Sequence, residues 1–193
     1  MLDFNFEGTR HLFGLPERTS SFLLEDNEYR MYSVDLFPHY ENSIQNLYSG
    51  IPYLIGHNEQ STQSIVWINA AETFVNLSSY DSGRSALFQS EAGVMEFLLL
   101  ATTKSPAHVQ KKLAQVTGFP QLPPLYSLGF HYSKWDQNTT AVRMIDHMTR
   151  FEESEMKLDM LWLDIPATNG NRYFTLDRNK FPEDKLNEMK NQL

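Results

Sequence analysis

Asp164 directly follows a compact apolar run, Met160-Leu161-Trp162-Leu163. An unbroken run of this kind is typical of a parallel strand that is covered on both faces. Ligands of parallel α/β folds bind at the C-terminal ends of the strands, so the Asp164 carboxylate is placed where a substrate could meet it. A helix cap or a buried turn aspartate would follow the same pattern, so the pattern alone supports both interpretations.

Two other side chains lie at the ends of apolar runs. Trp135 follows the run from Leu125 to His131 and would project from the same rim as Asp164, where its ring could stack on a sugar or a flat ligand. The ring could instead pack on a neighbouring loop, which spacing alone slightly favours. Asp35 lies near the end of the run from Tyr29 to Leu36, and this position alone indicates a structural carboxylate at a strand edge.

Other chemistries are excluded by residue type or spacing. The chain contains no cysteine, so disulfides, thiolate catalysis and Cys-ligated zinc are impossible. The six histidines lack the spacing of a metal site; they are His11, His39, His57, His108, His131 and His147. Neither a Gly-x-Ser-x-Gly nucleophile motif nor a phosphate-binding glycine-rich loop is present. The sequence therefore predicts no metal and no cofactor.

The composition of the chain limits the classes of partner that it can bind. Its 193 residues include 16 basic and 24 acidic side chains, a net charge of −8, and 41% of them are hydrophobic. This apolar content suffices for a packed core, and the acidic balance argues against nucleic acid. The first eight residues lack the basic and apolar segments of a signal peptide. The longest apolar run, 97–101, is far shorter than the roughly 20 residues that span a membrane, so we expect no membrane partner.

The first half of the chain consists of short β-rich runs that turn-prone clusters separate. Strands are predicted over 29–36, 52–55, 64–69, 72–77 and 93–101. Several strands with no helix between them favour a β-sandwich or a meander. Ser105-Pro106 then predicts a helix start, Gly118 its end, and the prolines that follow a linker. We therefore expect a β-domain over 1–103 and a helix with a proline linker over 104–123.

Residues 124–193 show a different order of elements. Strands are predicted over 125–131 and 160–163, an amphipathic helix over 139–155 and a second helix over 182–193. Strand, helix and strand in this order predict the start of a parallel α/β domain. The sequence stops within the last helical pattern, and we expect both ends to be cuts within a longer protein.

Several segments, taken in order, resemble glycoside hydrolase family 31. They are Phe13-Gly14-Leu15-Pro16-Glu17-Arg18, Tyr32-Ser33-Val34-Asp35-Leu36-Phe37, Asn46-Leu47-Tyr48 with Ile51-Pro52-Tyr53-Leu54, Trp67-Ile68-Asn69-Ala70-Ala71-Glu72-Thr73, Leu122-Pro123-Pro124-Leu125 with Leu128-Gly129-Phe130-His131, Trp162-Leu163-Asp164-Ile165, and Arg172-Tyr173-Phe174-Thr175-Leu176-Asp177. No single segment is decisive, but the ordered set spans nearly the whole chain.

The resemblance implies a fold and an activity. The fold is a galactose-mutarotase-like β-sandwich, N-terminally incomplete, followed by the first two strands of a (β/α)8 barrel, which is truncated at residue 193. The activity is that of a retaining α-glucosidase, which hydrolyses O-glycosyl bonds of α-linked glucose. The implied substrate is an oligosaccharide with a terminal α-linked glucose, such as an N-glycan, the implied partner an accessory β-subunit, and the implied location the endoplasmic reticulum lumen.

The resemblance also implies roles for four residues. Asp164 and Ile165, after the second barrel strand, match residues that line the −1 subsite, and in the family the aspartate binds hydroxyl groups of the glucosyl unit. Trp135 matches the aromatic residue after the first strand, which lines the same subsite. Asp35 matches an aspartate of a sandwich loop that reaches into the active site.

The sequence departs from the family pattern after Asp164. Pro166 stands where the family usually has an acidic residue, 167–171 replaces a His-x-Asp-Gly-Lys loop, and Leu176 replaces an aromatic residue. The catalytic nucleophile and acid/base of the family lie on later barrel strands, and the Trp-x-Asp-Met-Asn-Glu type motif does not occur here. We therefore expect no catalytic residue in this chain and no activity of the chain alone. A non-catalytic remnant or carbohydrate-binding module is the alternative interpretation.

Overall fold

The structure is a computed structural model and describes residues 1–192. It divides into two compact units, Met1–Phe119 and the residues from Pro120 onward. The first unit contains eight strands and one helix. The strands are β1 (Leu2–Glu7), β2 (His11–Gly14), β3 (Asn27–Met31), β4 (Tyr53–His57), β5 (Thr62–Trp67), β6 (Thr73–Tyr80), β7 (Gly83–Ser90) and β8 (Phe97–Thr102), and the helix is α1 (Pro106–Thr117).

The eight strands form two antiparallel sheets of four strands each. One sheet has the order β1-β7-β6-β3 and the other the order β2-β4-β5-β8. Alternate residues of each strand face a common core, which is the period-two burial expected where one face of a strand is covered. This arrangement is a β-sandwich, so the fold class predicted for this part of the chain is confirmed.

Aromatic side chains from both sheets meet in the core of the sandwich. Phe88 of β7 is fully buried, and its ring makes edge-to-face contacts with Phe4 of β1 at 5.7 Å and with Trp67 of β5 at 6.3 Å. The Trp67 ring also stacks on Phe97 of β8 at 4.9 Å. Such aromatic pairs add to the stabilisation from buried apolar area, and here they join the two sheets directly.

The strand boundaries differ from the predictions in several places. The predicted strand 29–36 ends at Met31, so Asp35 lies in irregular chain. Strands β1, β2 and β7 were not predicted, and β6 extends to Tyr80, three residues beyond the predicted strand 72–77. In the centre of its sheet, β7 pairs with β1 on one side and β6 on the other. This pairing compensates for the weak strand propensity of glycine, alanine and serine in β7.

Helix α1 begins and ends where the sequence predicted. Ser105 precedes it in an extended conformation, Pro106 is its first residue, and Gly118 follows it with a φ of 98°. A positive φ favours glycine, which explains the stop signal. The helix packs against β8 and β5, with Val109 fully buried. It therefore belongs to the first unit.

The second unit is a β-α-β arrangement followed by a helix. Its elements are β9 (His131–Tyr132), α2 (Ala141–Glu153), β10 (Met160–Leu161) and α3 (Glu183–Gln192), with short 3₁₀ turns at Leu125–Leu128 and Ile165–Ala167. Strands β9 and β10 pair in parallel, Met160 opposite His131 and Leu161 opposite Tyr132. The core of this unit contains Ala141, Met144, Ala167, Phe181 and Met189. The last residue of the predicted helix 182–193, Leu193, lies outside the described residues.

The apolar run 125–131 is the clearest error in this unit. It was predicted to be one strand, but residues 125–128 form a 3₁₀ turn and only His131 and Tyr132 are extended. The Ser127 hydroxyl group donates to the Pro124 carbonyl oxygen at 2.6 Å, and this local hydrogen bond stabilises a turn instead of a strand. Strand β10 likewise ends at Leu161, two residues before the end of the predicted run.

No helix among residues 1–192 is long and apolar enough to cross a lipid bilayer.

Candidate functional site

Strands β9 and β10 end side by side, and a loop follows each of them. We call residues 133–140 the first rim loop and residues 162–168 the second rim loop. Because the strands are parallel and in register, both loops leave from the same edge of the sheet. The first rim loop contains Trp135 and the second contains Asp164 and Ile165, so the second unit brings these three predicted residues to one edge.

The Asp164 carboxylate caps the 3₁₀ turn that follows it. Its Oδ1 atom accepts a hydrogen bond from the Ile165 backbone N–H at 2.7 Å, and its carbonyl oxygen accepts from the Ala167 N–H at 2.9 Å. Among residues 1–192 the carboxylate has no second hydrogen-bond partner, and the side chain is half-buried. One carboxylate oxygen therefore fixes the turn, while the other is free to accept a hydrogen bond from a ligand.

Ile165 and the two residues after it form the base of the second rim loop. The Ile165 carbonyl oxygen accepts from the Thr168 N–H at 2.9 Å and from the Thr168 hydroxyl group at 2.7 Å. Ile165 is half-buried, whereas Pro166 and Ala167 are buried. The departure from the family pattern at Pro166 thus places an apolar ring in the interior of the unit, where an acidic side chain would need a partner.

Trp135 is 64% exposed and stands at the start of a tight turn in the first rim loop. The Asp136 carboxylate holds this turn by accepting from the Asn138 N–H at 2.9 Å and from Arg143 of α2 at 3.3 Å. These contacts, the backbone hydrogen bond first, lower the pKa of Asp136 below its ordinary value of 3.8. The aspartate stays ionised at neutral pH and keeps the turn in place, so the exposed indole stands on an ordered loop.

The sequence did not indicate Asp136, although a signal was present. Asp136-Gln137-Asn138-Thr139 precedes the N-cap Thr140 of α2. An aspartate whose carboxylate accepts a hydrogen bond from the backbone N–H two residues later is a common turn pattern ahead of a helix.

A side-chain contact links strand β9 to the second rim loop. The Trp162 indole N–H donates to Nδ1 of His131 at 3.0 Å, and the two rings stack with centroids 6.0 Å apart. His131 Nε2 lies 3.0 Å from the Ser127 carbonyl oxygen, so the proton of the neutral ring is on Nε2. The sequence indicated only that His131 lacks the spacing of a metal ligand, and its pairing with Trp162 was not predicted.

Asp35 belongs to the first unit, whereas the two rim loops belong to the second. It is exposed and lies beyond the end of β3. The nearby Asp35 carboxylate raises the pKa of Tyr48. This proximity agrees with a local structural role for Asp35, and its proposed contact with a substrate rests on the family resemblance.

Among residues 1–192, no group of three histidine, aspartate or glutamate side chains is close enough to hold a metal ion. The rim of the second unit instead presents an aromatic ring and a carboxylate on ordered loops. Aromatic faces and carboxylate oxygens are groups that suit the apolar faces and hydroxyl groups of a sugar.

Two models of one enzyme family match the chain in succession. The glycosyl hydrolase 31 N-terminal galactose mutarotase-like domain matches residues 1–76, and the glycosyl hydrolases family 31 TIM-barrel domain matches residues 120–193. The first falls on the sandwich and the second on the β-α-β unit. The predicted order of a galactose-mutarotase-like sandwich and the start of a barrel is therefore confirmed.

Curated relatives support the same assignment. Neutral alpha-glucosidase AB of Dictyostelium discoideum is 34% identical over 94% of the chain, and neutral alpha-glucosidase C of Homo sapiens is 33% identical over 95% of it. The chain spans 20% and 22% of the length of these two proteins. The similarity therefore concerns one segment of much longer enzymes.

Solved structures show the same segment. A glucosidase II alpha subunit in a DNJ-bound form superposes with a TM-score of 0.87 at 28% identity, covering 98% of this chain and 23% of that chain. A family 31 dextranase from Flavobacterium johnsoniae has a TM-score of 0.82 at 20% identity, which supports the fold alone. With two domain models of the family matched in order and the fold shared with its solved members, the chain belongs to glycoside hydrolase family 31.

Proposed function

We propose that the chain supplies the sandwich and the first part of the catalytic barrel of a retaining α-glucosidase. The observation on which this rests is the rim of the second unit, where Trp135 and Asp164 follow two adjacent parallel strands. In (β/α)8 enzymes that edge of the barrel is the catalytic face. The reaction is hydrolysis of the O-glycosyl bond of an α-linked glucose.

The proposed roles follow from the chemistry of each side chain. The Asp164 oxygen that does not cap the turn accepts hydrogen bonds from hydroxyl groups of the glucosyl unit in the −1 subsite. The Trp135 ring stacks on the apolar face of a sugar, and the Ile165 side chain packs against it. Asp35 is included on the family resemblance alone, because it lies in the other unit.

The catalytic pair is proposed to lie outside these 193 residues. A retaining glycosidase needs a nucleophile and an acid/base whose carboxyl groups are about 5–5.5 Å apart. Asp164 can supply at most one of these two carboxyl groups, and the nucleophile motif of the family does not occur in the chain. We propose that the later strands of the barrel supply both groups and that this chain alone does not hydrolyse a glycoside.

The substrate, partner and location are proposed from the relatives. Several of them are called neutral alpha-glucosidase, and one from Schizosaccharomyces pombe is called glucosidase 2 subunit alpha. One solved relative is an ER glucosidase II complex of a catalytic subunit with the binding domain of a regulatory subunit. We therefore propose an oligosaccharide with a terminal α-linked glucose, such as an N-glycan, as substrate, an accessory β-subunit as partner, and the endoplasmic reticulum lumen as location.

A second candidate function is a non-catalytic, carbohydrate-binding remnant. The observation that favours it is the second rim loop, where Pro166 and Ala167 are buried, together with the replacement of the family's loop sequence over 167–171. A loop altered in this way could retain the sugar contact of Asp164 without supporting turnover. The two candidates differ in whether the assembled barrel releases glucose.

A chimeric enzyme tests this difference. Residues 1–193 replace the matching segment of a glucosidase II alpha subunit, and we refer to this protein as the chimera. The proposed function predicts glucose release by the chimera from an α-linked glucosyl oligosaccharide and none by the isolated chain. A chimera that melts cooperatively and binds DNJ, yet releases no glucose, would support the remnant instead.

A further inference from the structure

We infer that Lys180 is a positioning residue that fixes the two rim loops relative to each other. Its Nζ atom donates to the Pro166 carbonyl oxygen at 2.9 Å and to the Gln137 carbonyl oxygen at 3.2 Å. Pro166 belongs to the second rim loop and Gln137 to the first. One ammonium group therefore joins the loop that contains Asp164 to the loop that contains Trp135.

The Pro166 carbonyl oxygen depends on this lysine more than the Gln137 carbonyl oxygen does, because Gln137 is exposed to water. Among residues 1–192, neither the Pro166 nor the Gln137 carbonyl oxygen has another hydrogen-bond donor. Pro166 is buried, so its carbonyl group would lose its partner without gaining full access to water. Hydrogen bonds from a charged donor are stronger than those between neutral groups, and an unpaired buried acceptor is costly. Lysine has three donors and suits a position between two carbonyl groups.

The backbone around Lys180 is fixed at several points. The Lys180 carbonyl oxygen accepts from the Ala141 N–H at the start of α2, at 3.0 Å. The next side chain, Phe181, is fully buried in the core of the unit, and its N–H donates to the Asp177 carbonyl oxygen at 2.8 Å. The lysine therefore projects from a rigid base, and its ammonium group can hold the loops instead of following them.

The first rim loop is fastened on a second side. The Asp136 carboxylate, next to Gln137, is bound to Arg143 of α2 at 3.3 Å. The turn that follows Trp135 is thus attached to α2 by Asp136 and to the second rim loop by Lys180. Removal of Lys180 leaves the first attachment intact, so the predicted effect is local loosening of the two loops and loss of their alignment, without unfolding of the unit.

The consequence for activity rests on the proposed function. If Trp135 and Asp164 contact the same glucosyl unit, their spacing determines how well both contacts form at once. Lys180 touches neither the substrate nor the reacting atoms in this account. It acts through the two backbone carbonyl groups, which distinguishes it from the four residues proposed to contact the sugar.

Hydrogen–deuterium exchange of the full 193-residue chain, read by mass spectrometry, tests the inference directly. Lys180→Met keeps the aliphatic stem and removes the donors. Exchange of the amides in peptides covering both rim loops should rise by about tenfold or more, because the hydrogen bonds from the charged amine are lost. Lys157→Met is the matched control, since Lys157 is 86% exposed and pairs only with Asp159 among the described residues. It should leave both loops unchanged.

Each outcome decides the inference. Unchanged exchange in either rim loop of Lys180→Met, or an equal rise in Lys157→Met, would overturn it. If Lys180→Met loses protection throughout α2 and α3 as well, Lys180→Arg decides, because arginine retains donors for two carbonyl groups. Restored protection in the rim loops supports positioning, and lost protection refutes it.

Kinetics of the chimera separate this inference from the proposed function. Lys180→Met should lower kcat/KM by about tenfold, with Lys180→Arg recovering most of the loss. Loops that loosen while kcat/KM stays unchanged would overturn the positioning role. An inactive parent chimera would instead contradict the proposed function, and the exchange experiment would still decide the structural role of Lys180.

Discussion

Replacement of Asp164 by asparagine or alanine separates its two roles. In the structure one carboxylate oxygen caps the turn at Ile165 and the other has no partner among residues 1–192. Asparagine keeps an oxygen that can accept from the Ile165 N–H but loses the negative charge. Alanine loses both the cap and the proposed sugar contact. Comparison of the two variants therefore separates the contribution of Asp164 to the local turn from its contribution to substrate binding.

The expected magnitudes follow from these contacts. A hydrogen bond to a charged acceptor contributes about 1.5–3 kcal/mol and one to a neutral acceptor about 0.5–1.5 kcal/mol. Asp164→Asn in the chimera should therefore lower kcat/KM by about tenfold, and Asp164→Ala by about 10- to 150-fold, if the contact strengthens in the transition state. Loss of the cap should cost Asp164→Ala about 0.5–2 kcal/mol of stability, and Asp164→Asn only a few tenths.

The assay pairs steady-state kinetics on an α-linked glucosyl substrate with a thermal melt of each variant. Asp146→Asn serves as the matched control, because Asp146 is a half-exposed carboxylate of α2 that pairs with Arg150. This control should change neither kcat/KM nor the melt by more than experimental error. Unchanged kinetics in Asp164→Asn would refute the sugar contact. If the loss of activity is fully explained by the fall in melting temperature, Asp164 stabilises the turn and does not contact the sugar.

Three other predictions concern the second unit and the chain as a whole. Phe181→Ala should lower the free energy of unfolding by about 3–5 kcal/mol in denaturant titration, since Phe181 is fully buried; a loss below 1 kcal/mol would contradict the assigned core. The lowered pKa of Asp136 contributes stability above its ordinary pKa of 3.8 that is lost as the pH falls through its folded value. Acid titration of Asp136→Asn should therefore show a weaker loss of stability below about pH 4 than the parent, and equal profiles would refute this. The isolated chain should release no glucose, and turnover abolished by Asp164→Asn would show that a catalytic group lies within it.

The sandwich could be predicted as a class, but not strand by strand. The runs near Tyr53, Ile65 and Val75 are rich in β-branched and aromatic residues and became strands β4, β5 and β6. Strand β7 is polar along much of its length and owes its conformation to pairing on both sides. Tertiary pairing of this kind overrides local propensity, so single-sequence reasoning had no basis for placing β7.

The candidate site, like the sandwich, could be predicted only in part from the sequence. Strand ends and apolar runs were enough to place Trp135 and Asp164 on loops that leave one edge of a sheet. Lys180 could not be found in this way, because its role depends on a side chain that reaches two backbone carbonyl groups distant in sequence. Contacts between side chain and backbone have no periodicity along the chain, whereas strands and helices do.

The central claim is that the rim of the second unit binds the glucosyl unit through Asp164. A crystal structure of the chimera with DNJ bound tests this most directly. We expect the Asp164 oxygen that does not accept from the Ile165 N–H to lie within about 2.6–3.2 Å of a polar group of the ligand, while the other oxygen still caps the turn. A ligand bound elsewhere, or an Asp164 carboxylate that contacts only the Ile165 N–H, would contradict it.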